Sequence, residues 1–161
     1  MADLFSETKL GRLALANRVV LAPMPRSRAT ADGTPTPEMA DYYRQRASAG
    51  LIVTEGIYPS EDGKGYCRTP GLVTAEHVAA WKKVTDAVHA EGGTIVAQIM
   101  HCGRVGHMDN KQPGTELVSP SGLRARGDMF TDTAGMQPIS ETRALSLEAV
   151  SYTHLTLPTR S

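Results

Sequence analysis

Between Lys9 and Ile99, apolar runs of strand length alternate with segments whose apolar residues recur at helical spacing. Lys9 to Val20 reads as a short hairpin leading into a first buried strand, Val19-Val20-Leu21-Ala22. Pro23 and Pro25 end that strand, because proline cannot donate to a sheet ladder. A helix follows, with Thr36 as N-cap, Pro37 at the first helical position and Glu38 in the first turn. Met39, Tyr42, Tyr43 and Ala47 give it one apolar stripe, and Gly50 stops it. Leu51-Ile52-Val53-Thr54 is then a continuous run of the kind found in strands covered on both faces. The unit repeats: Thr74 caps a helix with the stripe Val78, Trp81, Val84 and Val88, Gly92-Gly93 ends it, and Thr94 to Ile99 forms the next strand. Successive β-α-β units have right-handed crossovers and imply a parallel sheet.

The connections are lopsided. Helix-to-strand links are minimal, whereas Pro23 to Pro35, Gly56 to Val73 and His101 to Leu145 are long strand-to-helix links. All the long loops therefore gather at the carboxyl ends of the strands, the face that carries ligands in parallel α/β folds. A doubly wound dinucleotide fold would place Gly-x-Gly-x-x-Gly after its first strand. Here that position reads Pro23-Met24-Pro25-Arg26-Ser27-Arg28, and no phosphate loop ending in Gly-Lys-Ser/Thr occurs. An N-terminal hairpin plugging one end suits a (β/α)8 TIM barrel better. Such barrels take roughly 250 residues, so this chain is expected to hold the N-terminal portion, truncated after about three strands.

Ser146 to Val150 resembles the capped first turn of a third helix. Residues 151–161 lose the helical stripe. Taken literally they could form a short edge strand, but they resemble translated adapter sequence. The expected organisation is thus barrel over 1–150 and a non-native tail over 151–161.

Composition excludes several classes. Lys plus Arg and Asp plus Glu both number 17, giving a formal net charge of zero. A general nucleic-acid binder needs a basic excess to displace counterions. No apolar run approaches the roughly 20 residues of a membrane span, and the start Met1-Ala2-Asp3-Leu4-Phe5 lacks the pattern of a signal peptide. Cys67 and Cys102 form no disulfide framework or metal knuckle, which favours a reducing cytoplasm. His101 and His107 are too loosely spaced for a metal pair, so no metal site is expected.

Several blocks together resemble the Old Yellow Enzyme (NADH:flavin oxidoreductase) family: Asn17 to Met24, Tyr42 to Gly56, Gly65-Tyr66 with Thr69-Pro70-Gly71, Trp81 to His89, and Gln98 to Arg104. They occur in family order and span nearly everything from Leu4 to Val150. The resemblance implies a TIM-barrel flavoprotein with FMN at the carboxyl end of its strands. It implies NAD(P)H as reductant, and hydride transfer from flavin to small-molecule electron-poor alkenes such as α,β-unsaturated carbonyls. It leaves the oligomeric state open.

Residue by residue, Gln98 matches the glutamine whose amide faces the flavin pyrimidine edge. An amide both donates and accepts, as a ring presenting N–H beside a carbonyl requires. The bland alternative is a glutamine bonded to neighbouring backbone. Pro23 and Met24 match the segment lying along the flavin, and Gly56 matches a small-residue site beside its ring, or a plain turn glycine. Tyr66 matches a tyrosine lining the substrate pocket, or an exposed loop tyrosine.

Two positions depart from the family. Pro25 stands where Thr or Cys commonly bonds the flavin, and proline brings no such donor. Met100 stands where many members have a Trp that shapes the substrate pocket. The family's substrate-gripping His pair or His-Asn pair, its Tyr proton donor and its phosphate-site Arg residues lie on later strands, so no catalytic residue is assigned and the chain alone is expected to be inactive. Two rivals are a non-catalytic half-barrel acting as a binding or assembly module, and a barrel enzyme for another phosphate-containing ligand. Cys102 beside His101 could be a redox thiol, but a buried small residue is the simpler reading.

Overall fold

The computed structural model describes residues 3–153. The expected hairpin is present as β1 (Thr8–Leu10) and β2 (Leu13–Leu15), paired antiparallel. Strands β3 (Val20–Leu21), β4 (Leu51–Ile57) and β5 (Ile95–Ile99) form one parallel sheet in that order. Helices α1 (Pro37–Arg44) and α2 (Ala75–Ala90) are the two crossovers.

The helices bury the sheet on one side. Met39, Tyr43 and Ala47 meet Trp81, Val84 and Val88 over Ile52 and Ile57 in one apolar cluster. Burying each of the larger side chains contributes about 1.5–3 kcal/mol, which makes this layer the stabilising centre of the chain. Trp81 also donates its ring N–H to the Gly71 carbonyl at 3.0 Å. At the amino end of the strands, Asn17 accepts from the amides of Val19 and Gly50 and donates to the Ser48 carbonyl. Gly50 is required there, since a Cβ would lie 2.0 Å from the Asn17 carbonyl oxygen.

Four expectations need correction. The first strand is not buried: Val20 is 50% exposed, because among the described residues β3 pairs with β4 on one side only. In α2 the buried stripe runs through His77 (2% exposed) and not Val78 (55%). The imidazole tolerates burial because Nδ1 accepts from the Val73 amide and Nε2 lies 3.2 Å from the Asp32 carbonyl. Thr36 occupies the N-cap position of α1 without capping by its side chain; its hydroxyl donates instead to the Arg28 carbonyl. Thr74, by contrast, does cap α2, accepting from the His77 amide.

The long connection after β5 is not irregular. It holds β6 (Val118–Ser119), β7 (Asp128–Thr131), β8 (Gly135–Pro138) and β9 (Arg143–Ala144), with β6 parallel to β9 and β7–β8 a hairpin. Helix α3 (Leu147–Thr153), capped by Ser146 as expected, takes in the first three residues of the segment 151–161. The rest of that segment, 154–161, lies outside the described residues.

Candidate cofactor-binding site at the carboxyl end of the sheet

The register of β4 against β5 shifts between Val53 and Gly56, a bulge near the carboxyl end of the pair. Thr54 repairs the ladder there. Its hydroxyl accepts from the Gln98 amide at 3.0 Å and donates to the Glu55 carbonyl at 2.8 Å. Beyond the shift Gly56 pairs with Gln98, and the Met100 amide donates to the Ile57 carbonyl. Two residues singled out from sequence thus sit side by side on neighbouring strands.

The side chains complete the arrangement. Gln98 is half-buried, and its carboxamide makes no hydrogen bond among the described residues. The alternative of an amide tied to nearby backbone therefore does not hold in this structure. Gly56 leaves room that Met100 fills: an added Cβ would lie 2.4 Å from Met100 Cε and 2.9 Å from its sulfur. The Gly56 backbone is not in the left-handed region, so what favours glycine here is the space taken by the flexible end of Met100.

Glu55, one residue before Gly56, is 1% exposed and ties a third segment to this strand end. Its carboxylate accepts from the Arg26 amide at 3.1 Å and meets the Tyr43 hydroxyl at 3.3 Å, while that hydroxyl accepts from the Glu55 amide. Burial pushes the Glu55 carboxyl above the ordinary value, opposed by the Arg26 amide, the Tyr43 hydroxyl and the Arg26 charge. Burial likewise raises the Tyr43 phenol, so it stays protonated. Through Arg26 the exposed run Pro23, Met24 and Pro25 is moored to β4. Tyr66 lies on the next loop, 44% exposed, with no hydrogen bond from its hydroxyl among the described residues.

The histidines and Cys102 are otherwise engaged. His101 and His107 each accept a backbone amide two residues on, from Gly103 and Asp109. Cys102 is half-buried and not fully buried as the simpler reading had it, and its partial burial raises the thiol, the opposite of an activated thiolate.

A cleft of about 1250 Å³ runs between His101 to Arg104, Val118 to Ser121 and the start of α3. None of Pro23, Met24, Gly56 or Gln98 lines it. Gln98 and Gly56 pair at the carboxyl end of β4 and β5, and the segment after β3 is tied to the same end of β4 through Arg26 and Glu55.

Residues 3–151 match the FMN oxidoreductase family, described as the NADH:flavin oxidoreductase / NADH oxidase family. The chain belongs to this family. It is 44% identical over 119 residues to 12-oxophytodienoate reductase 7 of Oryza sativa subsp. japonica, covering 73% of this chain and 30% of that protein. Among solved structures, the Old Yellow Enzyme homologue from Zymomonas mobilis superposes with a TM-score of 0.86 at 40% identity, covering 93% of this chain and 41% of that one. Morphinone reductase in complex with tetrahydroNAD superposes at 0.83 with 41% identity, covering 93% and 42%. These structural relatives are TIM-barrel enzymes, and the chain spans well under half the length of the relatives it matches.

Within this family member, sequence reading missed the residues that hold the site in place. Thr54, Glu55, Lys64 and Lys111 carry no assigned role in the sequence blocks. For Glu55 a signal existed: a carboxylate inside the apolar run of β4 must find partners, because an unpaired buried charge is costly.

Proposed function

We propose that the carboxyl end of β4 and β5 holds FMN, and that the chain supplies part of an NAD(P)H-dependent ene-reductase. Support comes first from Gln98, a half-buried amide at a strand end with no hydrogen-bond partner among the described residues. Such a group fits a ring edge that presents a donor beside an acceptor. Gly56 beside it is a small-residue position whose open side Met100 occupies in this structure, which makes the flexible Met100 side chain the wall next to a bound ring. Pro23, Met24 and Pro25 would line the ring by backbone and apolar contact, since Pro25 offers no side-chain donor. The protein's contribution here is to bind and orient; FMN when bound supplies hydride chemistry.

On this reading, Tyr66 and Met100 flank the side from which a small electron-poor alkene approaches. The sheet forms the first part of a (β/α)8 barrel. The groups that grip the substrate oxygen, deliver the proton and hold the cofactor phosphate come from the remainder of such a barrel.

A protein carrying this chain within a complete barrel is expected to purify yellow and to release FMN on denaturation. It should oxidise NAD(P)H and reduce an α,β-unsaturated ketone. A colourless protein that takes up no FMN on reconstitution overturns the proposal.

A further inference from the structure

Two buried lysines connect the three long loops. Lys64, 1% exposed, sits on the loop between β4 and α2 and donates to the Ala31 carbonyl on the loop between β3 and α1. Lys111, 9% exposed, sits on the connection after β5. It donates to the carbonyls of Glu61, Asp62 and Lys64 at 3.1, 2.9 and 2.7 Å. An ammonium has three N–H donors, and each finds one acceptor. Among the described residues neither lysine lies within ion-pair distance of a carboxylate. These are cations solvated by backbone oxygen.

The neighbouring bonds extend the pattern. The Gly63 carbonyl accepts from the Cys102 amide at 2.9 Å, and the Gly65 carbonyl accepts from the Asn110 side chain at 3.3 Å. Every carbonyl from Glu61 to Gly65 therefore accepts a hydrogen bond from the segment Cys102 to Lys111. Asn110 donates at the same time to the Phe130 carbonyl on β7, which anchors the contact to the small sheets. The run held in this way ends immediately before Tyr66.

We propose that Lys111 is a positioning residue for Tyr66. Its ammonium fills a three-carbonyl receptor that fixes Glu61 to Gly65, and Lys64 relays that position to the loop bearing Pro23 to Pro25. The functional meaning rests on the reading of Tyr66 as a substrate-lining residue. The receptor itself is independent of that reading: it should accept any ligand that brings a positive charge and N–H donors on a short carbon stem.

The test uses the 161-residue chain with Lys111→Ala. Amide exchange is followed at Gly63, Lys64 and Cys102, whose N–H groups bond to Ser60, Glu61 and Gly63, together with the ring resonances of Tyr66. Loss of the ammonium should accelerate exchange at those amides by about tenfold or more, while amides of α2 are unchanged. It should also shift the Tyr66 ring signals. Added n-propylammonium, which restores the missing stem and donors, should reverse both effects. Propyltrimethylammonium, with the charge but no N–H, should reverse neither. If Lys111→Ala does not fold, Lys111→Gln, which keeps two donors, should show the same local effects at smaller size. Unchanged exchange, equal acceleration throughout the chain, an unmoved Tyr66 or equal rescue by both cations overturns the proposal. The flavin reading fails separately, on the Gln98 response to flavin, without altering these exchange rates.

Discussion

The two ends of the strands and the helix-covered face are built on different principles. The face under α1 and α2 is apolar and cooperative: Tyr43, Trp81, Val84 and Val88 pack on Ile52 and Ile57. The carboxyl end is held by single side chains reaching backbone, such as Thr54 to Gln98, Glu55 to Arg26 and Lys111 to Glu61, Asp62 and Lys64. Apolar packing stabilises the whole chain and tolerates imprecision. Directed hydrogen bonds contribute little net energy but set the position of particular atoms. Loss of a core side chain should therefore be felt everywhere, and loss of a stitch should be felt locally.

Trp81→Ala offers the largest break. It removes a buried ring and its bond to Gly71, and should cost about 3–5 kcal/mol. Chemical denaturation should show one cooperative loss of stability, with all probes shifting together. If the carboxyl-end loops kept their own transition, the two regions would be independent units.

Thr54→Val is nearly isosteric and leaves the Gln98 amide without its acceptor at the bulge. Its expected cost is about 1–3 kcal/mol. Chemical shifts should move at Glu55, Gly56 and Gln98 while those of α2 stay in place. Shifts spread over α2 would erase the proposed division.

Glu55→Gln sharpens it through pH. The folded-state value of Glu55 is raised above 4.5 by burial, so the folded chain holds this proton more tightly than the unfolded one. That contribution is fully present below about pH 4.5 and is lost as pH rises through the elevated folded value. Glutamine stays neutral and can still accept from the Arg26 amide. The variant should lack this decline, and denaturation followed from pH 4 to 8 should show a flatter profile. Parallel profiles for the two proteins would mean that Glu55 does not titrate in this window.

The smallest effect is expected at the exposed Lys82–Asp86 pair on α2. Asp86→Asn should change stability by no more than about 0.5 kcal/mol, less at high salt. A larger loss would show that the outer surface of α2 takes part in the packed layer.

The same contrast explains what was legible in the sequence. Periodicity located β4, α2 and β5 because burial repeats with the helix and strand periods, as Trp81, Val84 and Val88 do. It misassigned Val78 over His77, because a histidine enters a core only when its two ring nitrogens find partners, here Val73 and Asp32, far apart in sequence. The small strands between Val118 and Ala144 escaped notice because runs of two to four residues carry no period. Gln98 and Gly56 were found through the family blocks, and their register pairing places them together. Lys64 and Lys111 were invisible, since a lysine bonded to carbonyls looks in sequence like any surface lysine.

The most direct measurement is a titration of the isotope-labelled chain with FMN, read at the side-chain amide of Gln98 and the backbone amide of Gly56. Both signals should shift together and saturably, and Gln98→Ala should weaken the binding about tenfold. Flavin that leaves these two signals still, or that binds Gln98→Ala equally well, would contradict the assignment.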